Sequence, residues 1–363
     1  NLEEVLTIED LRKMLEEKAK LNHYIGFEIS GKIHLGSGLA TSLKIKDFVE
    51  AGVNCSVFLA DWHTWINDKL GGDKEFISRM AVGYFKEGFK ALFKTLKIDE
   101  EKVKFVLGSD LYHNNDAYWE TLIDVSKHTS LSRIGRSITI MGRKEGENID
   151  FAKLLYPPMQ VADIFVQELN LPHAGMDQRK AQVIARDVAL KLRKPLTVKG
   201  KPVKPVALHG HLILGLQKPR VWPVSKEKMQ EAWSEIKMSK SVPNSAVFIH
   251  DSEEEIEQKL NKAFCPEKEV EFNPVLDWTK HLLFAKEGFE LNVRRPDKFG
   301  GNVSFNEFRE LEETFRQGKL HPLDLKKAVS EELINVLEPV RKHFSKGKPF
   351  EMKKEMEKAS ITR

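Results

Sequence analysis

Apolar positions along the chain switch between the periods of strands and helices. Tyr24 to Ile29 is a strand-like run, and Leu39, Leu43, Ile45, Phe48 and Val49 recur at helical spacing just after it. Ser56 to Ala60 reads as a second short buried strand, ending in Asp61 and His63. Strand, helix and strand make a βαβ unit, which predicts a parallel sheet with ligands at the strand carboxyl ends. Residues 73–98 carry a helical pattern, "VKFVLGSD" a strand, and 115–142 a long helical region. In "FAKLLYPPMQVADIFVQEL" the Pro157-Pro158 pair is expected to interrupt or begin a helix. "LPHAGMDQRKAQVIARDVALKLRK" turns tightly at glycine into another helix, and the opening "NLEEVLTIEDLRKML" has an acidic amphipathic helix pattern.

From about residue 195 the texture changes. Pro195, Pro202 and Pro205 lead into "VALHGHLILGL", and a hydrophilic excursion, 217–236, precedes "KMSKSVPNSAVFIH"; within it "VSKEKMQEAWSEI" looks helical. "DSEEEIEQKLNKAF" predicts a helix capped by Asp251 or Ser252, with acids in its first turn. A domain boundary is expected there. Helical patterns at 253–263, 274–285, 305–316 and 322–344 make the remainder mainly α.

Composition narrows the class. The 363 residues allow two or three domains, the 41% hydrophobic content suits an ordinary soluble chain, and no apolar run reaches membrane-spanning length. With a start unlike a signal peptide, this predicts a cytoplasmic protein with no membrane partner. Cys55 and Cys265 lie far apart without metal-ligand spacing, so no structural metal is expected. A net charge of +4 does not establish a nucleic-acid partner, and the eight Lys or Arg against three Glu from Arg341 to Arg363 read equally as a solvated helical tail.

The candidate chemistry begins in "YIGFEISGKIHLGSGLATSLK", where His34 sits among glycines as a strand gives way to a helix. Glycines admit a ligand close to the backbone, and a helix start offers N–H groups to an anion. Some two hundred residues later stands Lys237-Met238-Ser239-Lys240-Ser241. In this order, around an α/β domain, the two pieces resemble the HIGH and KMSKS signatures of class I aminoacyl-tRNA synthetases. Adenylyl transfer needs positioning and charge stabilisation rather than a nucleophile. His34, Lys237, Ser239 and Lys240 are the catalytic candidates, with the lysines clamping the β and γ phosphates. Ser37 stands where the signature usually has a second histidine; its task falls to backbone N–H groups, to Lys240 or to Mg²⁺ carried with ATP.

"LADWH", "YPPMQVADI", "AGMDQRK", "AFCP", "RPDKFGG" and "LHPLDLKKAVSEELINVLEPVRK" extend the resemblance over nearly the whole chain, to tyrosyl-tRNA synthetases of the archaeal and eukaryotic type. The resemblance implies an α/β fold: a Rossmann-like parallel-sheet catalytic domain, 1–250, with a helical dimer-interface insertion at about 75–150 and the KMSKS loop at 237–241. A mainly α anticodon-binding domain, 251–363, follows. It implies that Tyr24 and Asp163 bond the substrate's phenol, while Tyr156, Gln160 and Gln178 hold its ammonium group. Helical spacings of four and three put Tyr156, Gln160 and Asp163 on one face. Gly26, Glu28, Gly36, Gly175, Asp177 and Leu214 join His34 and the lysines around ATP, with Asp177 at the ribose and Leu214 beside the adenine.

For tRNA the resemblance implies Arg136, Arg179 and Lys180 near the acceptor end, gripping phosphate or reading guanine. Phe299, His321 and Asp324 fall at the anticodon, where Phe299 stacks on the first base and Asp324 accepts from guanine, or else serves the start of its helix. A homodimer is implied. The rival readings are a tryptophanyl-tRNA synthetase, a non-catalytic RNA-binding paralogue, and a nucleotidyltransferase that uses the histidine loop without tRNA; Asp163 with Tyr24, the intact KMSKS and the "HPLD" segment speak against them in turn.

Overall fold

A computed structural model describes residues 2–220, 222–224, 236–238 and 242–359 of the chain. Ten strands occur among them: β1 (Leu2–Leu6), β2 (Asn22–Phe27), β3 (Asn54–Leu59), β4 (Val103–Leu107), β5 (Leu171–Gly175), β6 (Thr197–Val198), β7 (Lys201–Pro202), β8 (Ala207–Gly210), β9 (Leu291–Val293) and β10 (Val303–Phe305). Six of them form one sheet in the order β1-β8-β5-β2-β3-β4. Every pairing in it is parallel except β1 with β8. The α/β fold read from the sequence is therefore present, built on the βαβ unit of β2, helix α2 (Thr41–Glu50) and β3.

The N-terminal reading needs correction. Leu2–Leu6 is an edge strand, and the helix, α1 (Ile8–Glu16), starts only after Thr7, whose hydroxyl caps it by accepting from the Asp10 N–H at 3.1 Å. Strand pairing with β8 satisfies backbone groups that a longer helix would have left to solvent. Residues 73–98 form one helical rod, with α4 (Lys74–Met80) and α5 (Lys86–Leu96) joined by a wide turn at Ala81–Phe85. The region 115–142 breaks into α7 (Asp116–Lys127), α8 (Leu131–Ser137) and a tight turn, Ile138–Met141; α3 (Asp61–Ile66) and α6 (Gly108–Tyr112) follow β3 and β4 directly.

Helix α9 (Phe151–Val166) contains both prolines, contrary to expectation. Each removes an N–H from the helical ladder, an interior cost of about 3 kcal/mol. Burial offsets it: Pro157 and Pro158 are enclosed, and α9 contributes Tyr156, Met159, Val161, Ala162, Ile164 and Phe165 to one core. Helix α10 (Arg179–Val188) packs beside it. Residues of β2 and β3 alternate between two hydrophobic clusters, Tyr24 and Phe58 in one, Ile25, Val57 and Leu59 in the other, so each face of the sheet has its own core.

The second cluster continues into the C-terminal helices α11 (Glu253–Lys262), α12 (Pro274–Trp278), α13 (Phe308–Arg316), α14 (Pro322–His343) and α15 (Gly347–Lys358). Ser252 caps α11 in a reciprocal pair with Glu255, choosing between the two predicted caps. The predicted helix 305–316 begins at Phe308, because 303–305 pairs with 291–293 in a hairpin. No helix among the described residues is long and apolar enough to cross a membrane.

Candidate active site

Chain crossovers leave the central strands in opposite directions: β3 and β4 extend the sheet on one side of β2, β5 and β8 on the other. At such a switch point the loops diverge and open a crevice at the strand carboxyl ends. Gly26 and Glu28 lie at the end of β2, and Gly175, Asp177 and Gln178 at the end of β5.

The crevice is closed at one end. Asp163 on α9 is 1% exposed; the Tyr112 hydroxyl donates to its Oδ1 at 3.1 Å, and His63 Nε2 lies 3.8 Å from Oδ2. Burial pushes this carboxyl well above the usual carboxylate range, against the hydrogen bond from Tyr112. Tyr24, 3% exposed, has its phenol pushed up by burial and then by the Asp163 charge. Burial holds His63 down to about 3, so it is a neutral imidazole, and its ring meets that of Tyr156 edge-on at 4.5 Å. This end is a desolvated chamber of hydroxyls around one carboxyl.

The next side chains along the crevice are hydrogen-bonded in pairs. The Tyr156 hydroxyl donates to Glu28 Oε1 at 2.9 Å, and Asn67 Nδ2 donates to the same oxygen at 2.9 Å and to the Met141 carbonyl at 3.1 Å. Gln160 Nε2 donates to Gln178 Oε1 at 3.4 Å, and Gln178 Nε2 to the Ile140 carbonyl at 2.8 Å. Tyr156, Gln160 and Asp163 thus face one crevice from successive turns of α9.

At the open end Lys237 forms an ion pair with Asp177, their side chains 34% and 30% exposed. Gly175 is required here: a Cβ would stand 2.7 Å from Asp177 Oδ1 and 2.8 Å from Leu212 Cδ2. The backbone of Lys237 pairs antiparallel with Leu214, flanked by Gly215 N–H to the Ile236 carbonyl at 2.6 Å and Met238 N–H to the Ile213 carbonyl at 2.8 Å. Ser239 and Lys240 lie outside the described residues. His34 pairs with Phe248, and its Nδ1 accepts the Ser37 N–H at 3.2 Å. That assigns the neutral ring proton to Nε2, and it uses one of the helix-start N–H groups the sequence reading reserved for an anion. Gly36 has His34 Nδ1 3.2 Å from its would-be Cβ, whereas Gly38 is a packing glycine, with Ile33 and Ile249 methyls at 2.8 and 2.9 Å.

Sequence reasoning assigned no role to Tyr112, and left His63 as a strand-end residue. The spacing of "ADWH" after a buried strand was the available signal for His63; for Tyr112 there was none. It also missed the clamp on Leu214. Asp277 Oδ2 accepts the Leu214 N–H at 2.9 Å, and the Trp278 ring N–H, on a fully buried side chain, donates to the Leu214 carbonyl at 2.7 Å. Helix α12 therefore holds both polar groups of the residue that pairs with Lys237.

The RNA candidates fall in two places. Lys180 Nζ donates to the Arg136 carbonyl at 2.8 Å, and Arg179 grips Glu4 of β1 through two bonds of 2.7 and 2.8 Å. Phe299, 61% exposed, sits in a turn at Asp297–Phe299. Arg295 ties that turn to the approach of α14, donating to the carbonyls of Gly301 at 2.6 Å and Lys319 at 2.7 Å. His321 is the N-cap of α14, its Nδ1 accepting the Leu323 N–H at 3.2 Å, and Asp324 occupies the first turn.

The family model described as tRNA synthetases class I (W and Y) matches residues 16–338. A tyrosine–tRNA ligase of Thermococcus sibiricus is 58% identical over 99% of this chain and 96% of its own length, and one of Pyrococcus abyssi is 57% identical over the same shares. The crystal structure of Pyrococcus horikoshii tyrosyl-tRNA synthetase complexed with L-tyrosine superposes with a TM-score of 0.94 at 58% identity, covering 98% of this chain and 96% of that one. Aeropyrum pernix tryptophanyl-tRNA synthetase, at 20% identity and a TM-score of 0.68, shares the fold. The chain belongs to the class I tRNA synthetases of the tryptophan and tyrosine type, and within them to the tyrosine–tRNA ligase family.

Proposed function

We propose that this chain activates L-tyrosine with ATP and transfers it to the 3′ end of tRNA(Tyr). The observation that carries the reading is the enclosed Asp163 carboxyl beside Tyr24, at one end of a line of contacts that reaches Lys237 at the other. Asp163 lies one turn from Gln160, Gln160 bonds Gln178, Gln178 adjoins Asp177, and Asp177 pairs with Lys237. An amino acid and a nucleotide laid along that line meet near Gln178.

In the first step a tyrosine carboxylate oxygen attacks the α-phosphorus of ATP and pyrophosphate leaves; in the second a tRNA ribose hydroxyl attacks the carbonyl carbon and AMP leaves. Tyr24 and Asp163 bond the phenol. Phenylalanine would leave both unpaired in a dry chamber, which is how a site built for a hydroxyl rejects the analogue without it. Tyr156, Gln160 and Gln178 receive the ammonium group, and Glu28, held by Tyr156 and Asn67, lies beside it. Gly26, Gly36 and Gly175 admit the nucleotide, Asp177 accepts from its ribose, and Leu214 flanks the adenine. On that binding Lys237 exchanges Asp177 for the phosphates, joined by Lys240 and by Mg²⁺ carried with ATP, while Ser239 supports the loop. His34 donates through Nε2.

Residues 1–250 form the catalytic part and 251–363 the anticodon-binding part. Arg136, Arg179 and Lys180 meet the acceptor end, and Phe299, His321 and Asp324 the anticodon. Pairing of two chains through the 75–150 stretch is supported by Ile123 and Leu131, 60% and 72% exposed there; a single-chain mass by light scattering would remove that element. A cytoplasmic setting follows from the reaction's place in translation. The test of the whole is amino-acid-dependent pyrophosphate exchange with tyrosine, tryptophan and phenylalanine. Exchange with tyrosine alone is expected; exchange with tryptophan, or with none, overturns the assignment.

A further inference from the structure

Outside the crevice, three side chains that sequence spacing did not connect converge behind the Leu214 strap. His211 follows β8, Asp277 lies on α12, and His281 lies in the wide helical turn Thr279–Leu283 that continues it. Their nearest nitrogen and oxygen atoms all lie within 4.8 Å of one another. His211 Nε2 is 2.7 Å from Asp277 Oδ1, His281 Nε2 is 3.8 Å from the same oxygen, and the two imidazoles stack at 3.9 Å. Their side chains are 7%, 8% and 12% exposed in the order His211, Asp277, His281.

We propose that His211, Asp277 and His281 bind a first-row divalent cation of the zinc type, a site separate from the Mg²⁺ that accompanies ATP. Two imidazole nitrogens and one carboxylate oxygen are the donor set such ions take, at about 2.0–2.2 Å each, with a fourth position left for water. Ligands at those bond lengths stand roughly 3.3–3.5 Å apart in a tetrahedron, so the present separations close on an ion with side-chain shifts of about an ångström.

The surroundings are built for such a site. Glu3 Oε1 lies 2.5 Å from His211 Nδ1, the carboxylate–histidine partnership that fixes a ligand's tautomer and turns its other nitrogen towards the metal. The second oxygen of Asp277 is held by the Leu214 N–H at 2.9 Å, which orients the carboxylate. Burial, and then the neighbouring His211, hold His281 down to about 3, so it is a neutral imidazole able to donate a lone pair. His211, raised by its two carboxylates against the effect of burial, must release its Nε2 proton as the ion enters, so uptake weakens on acidification. The Lys259, Lys326 and Lys353 amines that bear on other buried groups are not among the charges facing this cluster; Glu3, Asp277 and Lys280 are.

The experiment uses the full chain, stripped with a chelator and titrated with Zn²⁺ or Co²⁺ alone, without ATP or tyrosine. One equivalent of Zn²⁺ per chain is expected by elemental analysis, and Co²⁺ should develop the visible ligand-field absorption of a nitrogen–oxygen site. His281→Ala should lose that equivalent, and Glu3→Gln, which leaves all three ligands in place, should weaken it by about 10- to 100-fold. No uptake by the unaltered chain, uptake undiminished in His281→Ala, or Co²⁺ bound without those absorption bands would overturn the proposal. The last arm stands even if a variant fails to fold.

Discussion

Asp163 and Lys237 stand at opposite ends of one line of contacts, yet Asp163 is 1% exposed and Lys237 keeps a third of its side chain in solvent. The difference is one of cost and timing. At the closed end the protein has already desolvated a carboxyl and surrounded it with hydroxyls, so an arriving phenol has little water to displace and a missing hydroxyl is felt at full strength. At the open end two flexible charges neutralise each other in contact with water. They can trade partners cheaply when a more highly charged phosphate arrives. Selectivity is thereby lodged in the rigid half and movement in the wet half.

That contrast can be broken at several points. Asp163→Ala should have the largest effect, abolishing most of a tyrosine-over-phenylalanine preference of about 10⁴ to 10⁵ in pyrophosphate exchange; an unchanged preference would place the phenol elsewhere. Lys237→Ala should lower kcat of activation by about 10² to 10³ while leaving that preference intact. Activation by the unaltered enzyme should also slow near 1 M salt, where the screening length is about 3 Å, without loss of the tyrosine preference. Trp278→Phe leaves the Leu214 carbonyl without its buried donor; a rise of about tenfold in the KM for ATP, with that for tyrosine unmoved, is expected. Equal rises in both would mean general loosening rather than a displaced strap.

Acidity offers a gentler probe. Burial depresses His23 well below the ordinary histidine value, and brings His63, His173 and His281 to about 3. Below pH about 6.5 the unfolded chain takes up protons on these four rings and the folded chain does not, so stability falls as pH falls from about 6.5 towards 3. The raised Asp163 works in the opposite sense, gaining its proton first in the folded state. A thermal midpoint that is flat from pH 6.5 to 4.5 would contradict the neutral histidines. The smallest effect on activation belongs to Asp324→Ala, which should reduce tRNA charging while tyrosine exchange stays near its starting rate; equal losses would move the anticodon contact.

Much of this arrangement was legible in the chain because it depends on short-range pattern. The βαβ unit follows from apolar period, the α11 cap from Ser252 and its acids, and the common face of Tyr156, Gln160 and Asp163 from helical spacing. Other features depend on partners distant in sequence. Leu2–Leu6 has an amphipathic pattern that suits a helix; its strand form comes from β8, some two hundred residues later. The two prolines of α9 are tolerated because enclosure on both sides outweighs two lost donors, which local propensity cannot weigh. Tyr112 reaches Asp163 across 51 residues, and Trp278 reaches Leu214 across 64. Ser239 and Lys240, though plain in sequence, fall outside the described residues.

The hydrophobic cluster under one face of the sheet runs without interruption from Ile33 and Phe89 to Leu333, Leu337 and Phe344 of the C-terminal helices. Tyr84 pins the junction, its hydroxyl accepting the Ile33 N–H at 3.1 Å and bonding His250 at 2.7 Å. Melting either part exposes the oily flank of the other, so a calorimeter should record one endotherm for both. A fragment cut at residue 250 should be sticky and poorly soluble.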